Sequence, residues 1–397
     1  MLTRAQTVTL AGLTALAPLA IDMYLPALPP LAADLGVSVE RAAQSISVFL
    51  FGIAGGQLVA GPLSDRFGRK PLILAGLLLF LGSSIVAATT DSFMILLAAR
   101  LAQAFGACAA MVSGRAVVRD LLDEREGARF FSMLALVGGL APVLAPLLGA
   151  VIISIADWRA IFWVMVAFGL IMLLSLPVLG ESRSQETASN ARSEHPFRGY
   201  LQLLGNRTLQ GYLLAAMFNS AGFFAYVANS SVVLVSGYGL TPTEFSLVFG
   251  VNSIALVGAA QINRTMLKTR DTRDMLRMSA RNALILAALL ALFAITGWGG
   301  FWGLLAILFF MVGSVTPVQA NTMAGGLAAD PLRAGSAAAL FGAATFASGA
   351  LASWIAGAMF DGTARGLCIV IAACLVGVAV SIRFLIPQPE PKPAQAD

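Results

Sequence analysis

The chain has 397 residues, of which 58% are hydrophobic and 11% are charged, and its formal net charge is +5. This composition, with a mean hydropathy of +0.84, excludes an ordinary soluble domain, in which about 25% of residues are charged. Most of the chain must lie in lipid, and its basic residues are spread between apolar runs rather than clustered for nucleic-acid binding.

The apolar runs predict twelve membrane helices, because each run approaches the roughly 20 residues that span a bilayer. We number these helices spans 1 to 12, with predicted cores at 7–30, 43–62, 71–89, 93–115, 128–153, 159–179, 208–235, 244–265, 278–297, 300–322, 335–358 and 364–386. A polar segment after span 6 divides the chain into a first half at 1–180, a linker at 181–207, a second half at 208–387 and a disordered tail at 388–397. The end of the linker, 197–204, predicts a short amphipathic helix on the membrane surface.

The distribution of Lys and Arg predicts the orientation of these spans. Loops on one side of the membrane carry nearly all the basic residues, and the other side receives only Arg41, Arg159 and Arg365. The positive-inside rule therefore predicts that both termini are cytoplasmic. The first apolar run is too long for a signal-peptide core and lacks a typical cleavage site, so we expect it to remain as a helix.

A compact charged loop joins spans 2 and 3. Gly61 and Pro62 are predicted to end span 2, and Pro71 to open span 3. The loop reads Gly61-Pro62-Leu63-Ser64-Asp65-Arg66-Phe67-Gly68-Arg69-Lys70-Pro71. An ordinary cytoplasmic turn would explain its charges, but not two glycines and an aspartate at these spacings. The loop closely resembles the signature G-x-x-x-D-R-x-G-R-[RK] of the major facilitator superfamily.

Two opposite charges fall inside predicted spans, where a charge is costly and therefore indicates function. Asp22 in span 1 and Arg100 in span 4 lie roughly 6 Å and 5 Å from the midplane on the same side, at 1.5 Å per residue. Matching depth predicts an ion pair between them. Asp22 would bind a proton or a cationic substrate, and Arg100 would modulate its protonation. A static ion pair that only joins the two helices remains the alternative.

The sequences around these charges extend the resemblance. Residues 22–29 in span 1, and 100–107 and 115–120 in span 4, look like signatures of the bicyclomycin/chloramphenicol-resistance subfamily of twelve-span drug:proton antiporters. The resemblance implies an all-α membrane protein of two pseudo-symmetric six-helix bundles, with proton coupling through Arg100. It also implies that Asp65 locks a cytoplasmic gate through Arg119 and the start of span 11 at 335–337. The implied gating residues are Gly61, Asp65, Arg66, Gly68, Arg69 and Arg119.

Span 5 resembles the antiporter motif of exporters, whose core is G-P-x-x-G-G. The matching small residues and prolines are Gly138, Pro142, Pro146 and Gly149. Ala145 and Leu148 stand where the motif has glycines, which weakens the inference of an exporter. The alternative is that these residues only allow close helix packing.

Span 7 carries an aromatic stripe with a few polar groups at 218–226, which suits a pocket for bulky, partly apolar compounds. The candidate pocket residues are Met23, Tyr24, Gln103, Asn219, Phe223 and Tyr226. Simple core packing of the same side chains is the alternative. Cys108, Cys368 and Cys374 lie inside apolar runs without metal-binding spacing, and we interpret them as core residues.

These observations predict a bacterial inner-membrane, proton-driven exporter of amphipathic small molecules such as antibiotics, working by alternating access. We expect a monomer in membrane lipid, with protons as coupling ions and with no cofactor, bound metal or nucleic-acid partner. The alternative is a transporter of the same fold for a metabolite, sugar or siderophore. A membrane enzyme is disfavoured because the loops carry no cluster of acids, His or Cys, and a channel because charge rings are absent.

Overall fold

The computed structural model describes residues 2–123, 126, 130, 141, 144–184, 198–330 and 333–386. Helices dominate this part of the chain, and eleven of them are long and apolar enough to cross a membrane. Spans 1–4 are Arg4–Asp34, Val39–Phe67, Arg69–Thr89 and Phe93–Leu121, and span 6 is Arg159–Val178. Spans 7–12 are Arg207–Gly237, Pro242–Met266, Thr272–Thr296, Gly300–Ala329, Gly335–Ala358 and Arg365–Leu385.

Eleven of the twelve predicted spans are therefore confirmed. Of span 5, the described part contains the apolar helix Leu144–Ile155, and the rest of its predicted core lies outside the described residues. The end of the linker forms the short helix Arg198–Leu204, as the pattern predicted. Residues 185–197 of the linker and the predicted tail at 388–397 lie outside the described residues.

Local sequence signals set several span ends. Span 8 begins with a capping box, in which the Glu244 N–H donates to Thr241 Oγ1 at 3.2 Å and the Thr241 N–H donates to Glu244 Oε2 at 2.8 Å. Pro242 occupies the first helical position, where its missing N–H costs no helical hydrogen bond. Gly297, with a φ of +65°, ends span 9 in the left-handed conformation that glycine adopts readily.

The prediction that Gly61 and Pro62 end span 2 is wrong, because the helix continues to Phe67 and breaks at Gly68. Proline removes one backbone donor, which frees the carbonyl four residues earlier, at Leu58. The Tyr200 hydroxyl from the linker helix donates to that carbonyl at 3.4 Å. Gly68 ends the helix with a φ of +111°, and span 3 starts at Arg69, before Pro71.

The hydropathy pattern predicted one continuous helix for span 1, but the structure has two helical segments there. The first runs from Arg4 to Asp22, and a tight turn at Leu25–Ala27 leads into a second helix at Leu28–Asp34. Pro26 explains the break, because it has no N–H to donate to the Asp22 carbonyl. The break leaves Asp22 at the end of a helix, inside the membrane-spanning part of the fold.

The two halves contact each other through spans 2 and 11 and through spans 5 and 8. The hydroxyls of Ser47 and Ser353 are 2.8 Å apart between spans 2 and 11. The Ser246 hydroxyl donates to the Pro146 carbonyl at 3.0 Å between spans 8 and 5. We call the face that carries the 61–71 loop the loop face, and the opposite face the far face.

An ion-pair network joins the ends of spans 1, 3 and 6 on the far face. Arg159 contacts the carboxylates of Asp34 and Asp91, each at 2.6 Å, and the Trp158 indole donates to Asp34 at 3.0 Å. Exposed pairs of this kind contribute roughly 0–1 kcal/mol each. The network therefore orients the span ends more than it stabilises the fold.

Spans 3 and 4 approach most closely where two glycines face each other. A Cβ added at Gly76 would lie 2.7 Å from the Gly106 carbonyl oxygen, and one added at Gly106 would lie 2.6 Å from that of Gly76. The obstructing atoms are backbone, so a side chain at either position must push the helices apart. Gly82, in the same helix as Gly76, has no such neighbour.

We predict that Gly76→Ala lowers stability by about 1–3 kcal/mol, the usual cost of overpacking a close contact. The matched change Gly82→Ala should be neutral or should stabilise span 3 by up to about 1 kcal/mol, because alanine favours helix. Thermal melting of the purified protein in detergent measures both. Equal melting temperatures for the two variants would contradict the close contact.

Candidate functional site

Asp22 is the carboxylate at the break in span 1, and it is 7% exposed. Within the described part of the chain, no hydrogen bond or ion pair reaches its side chain. The turn Leu25–Ala27, which follows Asp22, packs against spans 7 and 8 of the second half. Asp22 therefore lies where the two halves meet, and no cation among the described residues balances its charge.

Arg100 is fully buried in span 4 and binds the same break from inside the first half. Its Nη2 donates to the carbonyl of Ala20 at 3.0 Å. Ala20 lies in the last turn of the first segment, where carbonyls lack partners within the helix. The negative end of a helix dipole favours a cation, so the guanidinium caps the broken helix.

Three aromatic rings surround the Arg100 guanidinium, and we call these three rings the arginine box. The centre of the guanidinium lies 4.3 Å from the ring centroid of Phe49, 4.6 Å from that of Tyr24 and 5.9 Å from that of Phe162. A cation over an aromatic face is stabilised by roughly 2 kcal/mol or more when desolvated. These rings offset part of the cost of burying the charge.

The predicted ion pair between Asp22 and Arg100 is wrong, although both residues lie at the break. Among the ion pairs of the described residues, none involves Arg100. Its donors reach the Ala20 carbonyl and the Gln103 amide oxygen, the latter at 2.6 Å. The backbone of the helix end, rather than the carboxylate, accepts from Nη2, and Arg100 Nε has no hydrogen-bond partner among the described residues.

Tyr24 and Gln103, two predicted pocket residues, are fully buried members of this arrangement. The Tyr24 hydroxyl is 3.0 Å from the Ser45 hydroxyl, and the Gln103 amide donates to Ser84 Oγ at 2.7 Å. Their polar groups are thus bonded inside the first half. In this structure they support Arg100 and do not face the second half.

Met23 and span 5 meet at a backbone contact. A Cβ added at Gly149 would clash with the Met23 carbonyl oxygen and would lie 2.9 Å from Pro26 Cγ. Gly149 thus lets span 5 approach the break in span 1. Pro146 accepts the cross-half hydrogen bond from span 8, and Gly138 and Pro142 lie outside the described residues.

In the second half, the predicted pocket residues lie on span 7. Asn219 donates to the Val315 carbonyl at 3.1 Å, and the rings of Phe223 and Phe224 are 5.3 Å apart. Tyr226 is buried and accepts a hydrogen bond from Asn252 at 2.9 Å. These polar groups are neutral, so the charged groups at this depth come from the first half.

At the loop face, Arg69 is 1% exposed and joins three elements. It forms an ion pair with Asp65, donates to Ser64 Oγ at 3.0 Å and pairs with Asp120 at 2.9 Å. Sequence reasoning missed the role of Asp120, although the residue follows Arg119 in the span-4 signature. The ion pair links the end of span 2 to the start of span 3 and the end of span 4.

The remaining gating residues lie around this ion pair. Arg66 is exposed, and Gly61 has no neighbour that a Cβ would touch. A Cβ at Gly335 would lie 3.9 Å from Arg119 Nη1, so Arg119 does reach the start of span 11. Asp65, however, pairs with Arg69, and no ion pair between Asp65 and Arg119 forms among the described residues.

The first residues of the linker clamp the same loop. The Glu181 carboxylate accepts hydrogen bonds from the backbone N–H groups of Arg69 at 2.9 Å and Lys70 at 3.2 Å, at the start of span 3. Arg183 donates to the carbonyls of Asp65 at 3.2 Å and Arg66 at 2.6 Å, at the end of span 2. Each charge therefore binds the helix end of complementary polarity, and sequence reasoning did not predict either contact.

The pKa of the Glu181 carboxyl reflects these contacts. Burial alone would raise the pKa, but the N–H donors of Arg69, Arg183 and Lys70 outweigh that effect and lower it below 4.5. A lowered folded-state pKa means that the carboxylate stabilises the fold above the unfolded pKa. This contribution is lost as the pH falls through the folded value.

Comparison with known proteins agrees with this architecture. A family model described as Major Facilitator Superfamily matches residues 10–329. A Haemophilus influenzae protein named bicyclomycin resistance protein homolog is 33% identical over 384 residues, 95% of each chain. Escherichia coli multidrug resistance protein MdtL (strain O139:H28) is 31% identical over 386 residues, 95% of this chain and 94% of that one.

Solved structures support the fold alone, because their sequence identities are low. A D-xylose–proton symporter has a TM-score of 0.71 at 16% identity, covering 96% of this chain and 98% of its own. The nucleoside transporter NupG has a TM-score of 0.74 at 14% identity, covering 96% and 100%.

We predict that Glu181→Ala lowers the free energy of unfolding by about 1 kcal/mol near neutral pH, the usual cost of losing a helix N-cap. The difference from wild type should shrink as the pH falls through the lowered folded-state pKa of this carboxyl, because the carboxyl is then protonated in both states. Asp271→Ala is the matched control, because Asp271 precedes span 9 without a side-chain cap hydrogen bond. Two results would contradict the contacts of Glu181 with the start of span 3. One is a difference in unfolding free energy between wild type and Glu181→Ala that does not change with pH. The other is an equal loss in Asp271→Ala.

Proposed function

We propose that this chain, which belongs to the major facilitator superfamily, is a proton-coupled exporter of amphipathic small molecules, including antibiotics. Membership in this family makes it a multi-pass membrane transporter and not an enzyme. The observation that carries the proposal is Asp22, a buried carboxylate without a described counterion at the break in span 1. The names of its drug-resistance relatives support the class of cargo.

The coupling step follows from the charge of Asp22. An ionised carboxylate in a low-dielectric site is costly unless a proton or another cation neutralises it. A proton and the cationic group of a substrate would therefore compete for Asp22. Binding of either one would release the other, which is the thermodynamic requirement for exchange.

Arg100 would act on this step from a fixed position. Its guanidinium holds the carbonyl end of the first segment of span 1, and the arginine box fixes its direction. We therefore assign Arg100 a role in positioning Asp22.

The orientation follows from the basic residues. The loop face carries the basic 61–71 loop and the linker, so the positive-inside rule makes it cytoplasmic, with both termini on that side. A bacterial exporter of this kind belongs in the inner membrane. Alternating access would open the two halves in turn around Asp22, with the Asp65–Arg69–Asp120 ion pairs holding the loop during closure.

Drug susceptibility in a host that lacks its own efflux pumps tests the export proposal directly. The panel contains chloramphenicol-type, bicyclomycin-type and lipophilic cationic compounds, each with and without a protonophore. We expect resistance that the protonophore removes. Well-expressed protein without resistance would favour a metabolite, sugar or siderophore cargo, which uptake of labelled candidates into everted vesicles would identify.

We predict that Asp22→Asn reduces proton-driven efflux by at least tenfold, because an amide cannot exchange a proton. The matched control Asp91→Asn changes a carboxylate that is 91% exposed on the far face and should retain efflux. Everted vesicles with an imposed pH gradient provide the measurement, and thermal melting checks that both variants fold. Normal efflux by Asp22→Asn would remove this residue from the mechanism.

We predict that Asp65→Ala slows turnover several-fold, while the dissociation constant of the cargo changes by less than about twofold. The reason is that Asp65 pairs with Arg69 at the loop face, far from Asp22 and Tyr226. Asp274→Ala, which removes an exposed carboxylate from the second half, is the control. A raised dissociation constant of the cargo with unchanged turnover would contradict a gating role for Asp65.

A further inference from the structure

We propose that the hydrogen bond from Tyr200 to the Leu58 carbonyl is a latch between the two halves at the loop face, and we call it the linker latch. Leu58 belongs to the first half, whereas the short helix that carries Tyr200, Arg198–Leu204, is fixed to the second half. Opening of the loop face would have to break this bond. The inference goes beyond the proposed function, because it concerns the opening step and requires no particular cargo.

The first step is the attachment of the short helix to the second half. The helix packs against spans 7 and 11, and its Leu203 is fully buried. The Gln210 side chain of span 7 donates to the Leu204 carbonyl at 2.5 Å. Asn206 caps the start of span 7 and donates to the Ala329 carbonyl, at the end of span 10, at 3.3 Å. The short helix should therefore move with spans 7 and 10.

The second step is the contact with the first half. Pro62 lies inside span 2 and has no N–H, so the Leu58 carbonyl lacks the donor that the next helical turn would supply. The Tyr200 hydroxyl supplies a donor at 3.4 Å, and Tyr200 is 8% exposed. A carbonyl that is buried without a donor is costly. The tyrosine therefore relieves a cost that span 2 cannot relieve by itself.

The third step is the position of the two halves beside this bond. A Cβ added at Gly342 of span 11 would lie 3.0 Å from Gln57 Cδ of span 2. Gln57 directly precedes Leu58, so spans 2 and 11 touch at the depth of the linker latch. Nearer the loop face, a Cβ added at Gly335 would lie 3.9 Å from Arg119 Nη1 of span 4. The linker latch therefore forms where the two halves are in contact.

The fourth step is the effect of opening. Alternating access separates the two halves at the loop face. Because the short helix is bound to spans 7 and 10, Tyr200 would then withdraw from Leu58. Loss of one hydrogen bond between neutral groups changes an equilibrium about fivefold. The linker latch therefore favours the closed loop face, but it is weak enough to break in each transport cycle.

Spin-label distances across the loop face test the inference without any cargo. The labels are placed at Leu121→Cys, at the end of span 4, and at Lys268→Cys, after the end of span 8. Both native residues are exposed, and the native cysteines are buried. The measured quantity is the ratio of open to closed distances in the full-length protein, and thermal melting checks that each variant folds.

We expect Tyr200→Phe to raise the open-to-closed ratio about fivefold, as for loss of one hydrogen bond. Pro62→Ala restores an N–H that can donate to the Leu58 carbonyl within span 2. In that background, Tyr200→Phe should change the ratio by less than about twofold. Tyr212→Phe is the matched control, because Tyr212 is another buried tyrosine and packs on Gly325 within the second half. It should leave the ratio unchanged.

The inference is overturned if Tyr200→Phe leaves the ratio unchanged, or if its effect is equally large with and without Pro62. Either result would mean that Tyr200 only anchors the short helix. Failure of the inference is distinguishable from failure of the proposed function. A fivefold effect of Tyr200→Phe in a protein that exports no drug would overturn export alone. Intact drug export with no effect on the ratio would overturn the linker latch alone.

Discussion

The hydrogen bond from the buried Arg100 guanidinium to the Ala20 carbonyl is the interaction on which the site depends. Pro26 breaks span 1 and leaves helix carbonyls without partners, a cost that hydrocarbon cannot relieve. Arg100 satisfies one of these carbonyls, and three aromatic rings make its burial tolerable. The break can then persist in the membrane, and it is the break that brings Asp22 to the boundary between the halves. Arg100 thus stabilises the site as a cap on the first helical segment of span 1, and not through a contact with the Asp22 carboxylate.

The loop face repeats the same physical solution with helix ends of both polarities. Gly68 separates two helices so sharply that the last carbonyls of span 2 and the first N–H groups of span 3 lie side by side. Arg183 binds the carbonyls and Glu181 binds the N–H groups, so the linker completes both helix ends. The loop, the end of span 4 and the first linker residues therefore behave as one unit. These contacts hold the first residues of the linker against the first half.

The sequence was sufficient for features that depend on local composition, and insufficient for those that depend on distant partners. Apolar runs predicted eleven described spans, with ends that differ by up to seven residues, and helical rise predicted that Asp22 and Arg100 lie at similar depth. The predicted ion pair between Asp22 and Arg100 was wrong because the partner of Arg100 is a backbone carbonyl. Every residue has such a carbonyl, so the sequence gives no sign of which one is bound. Pro62 looked like a helix end because the compensating hydroxyl of Tyr200 lies in another segment of the chain. Asp120 and Glu181 were overlooked for the same reason: their partners lie 51 and 112 residues away.

The two halves differ in the chemistry they bring to the centre. The first half supplies the carboxylate and the fixed cation, whereas span 7 supplies neutral donors and aromatic rings. Apart from Glu244, the first residue of the predicted core of span 8, Asp22 is the one acid within the predicted cores, and a single carboxyl carries a single exchangeable proton. Under the proposed function, this site would therefore contribute at most one proton to each transport cycle. In the proposed mechanism, a neutral half would accept cargoes of varied shape through aromatic and amide contacts, while the single carboxyl would exchange one positive charge for another. Broad cargo selection and strict charge exchange would then be compatible, because they would reside in different halves of the molecule.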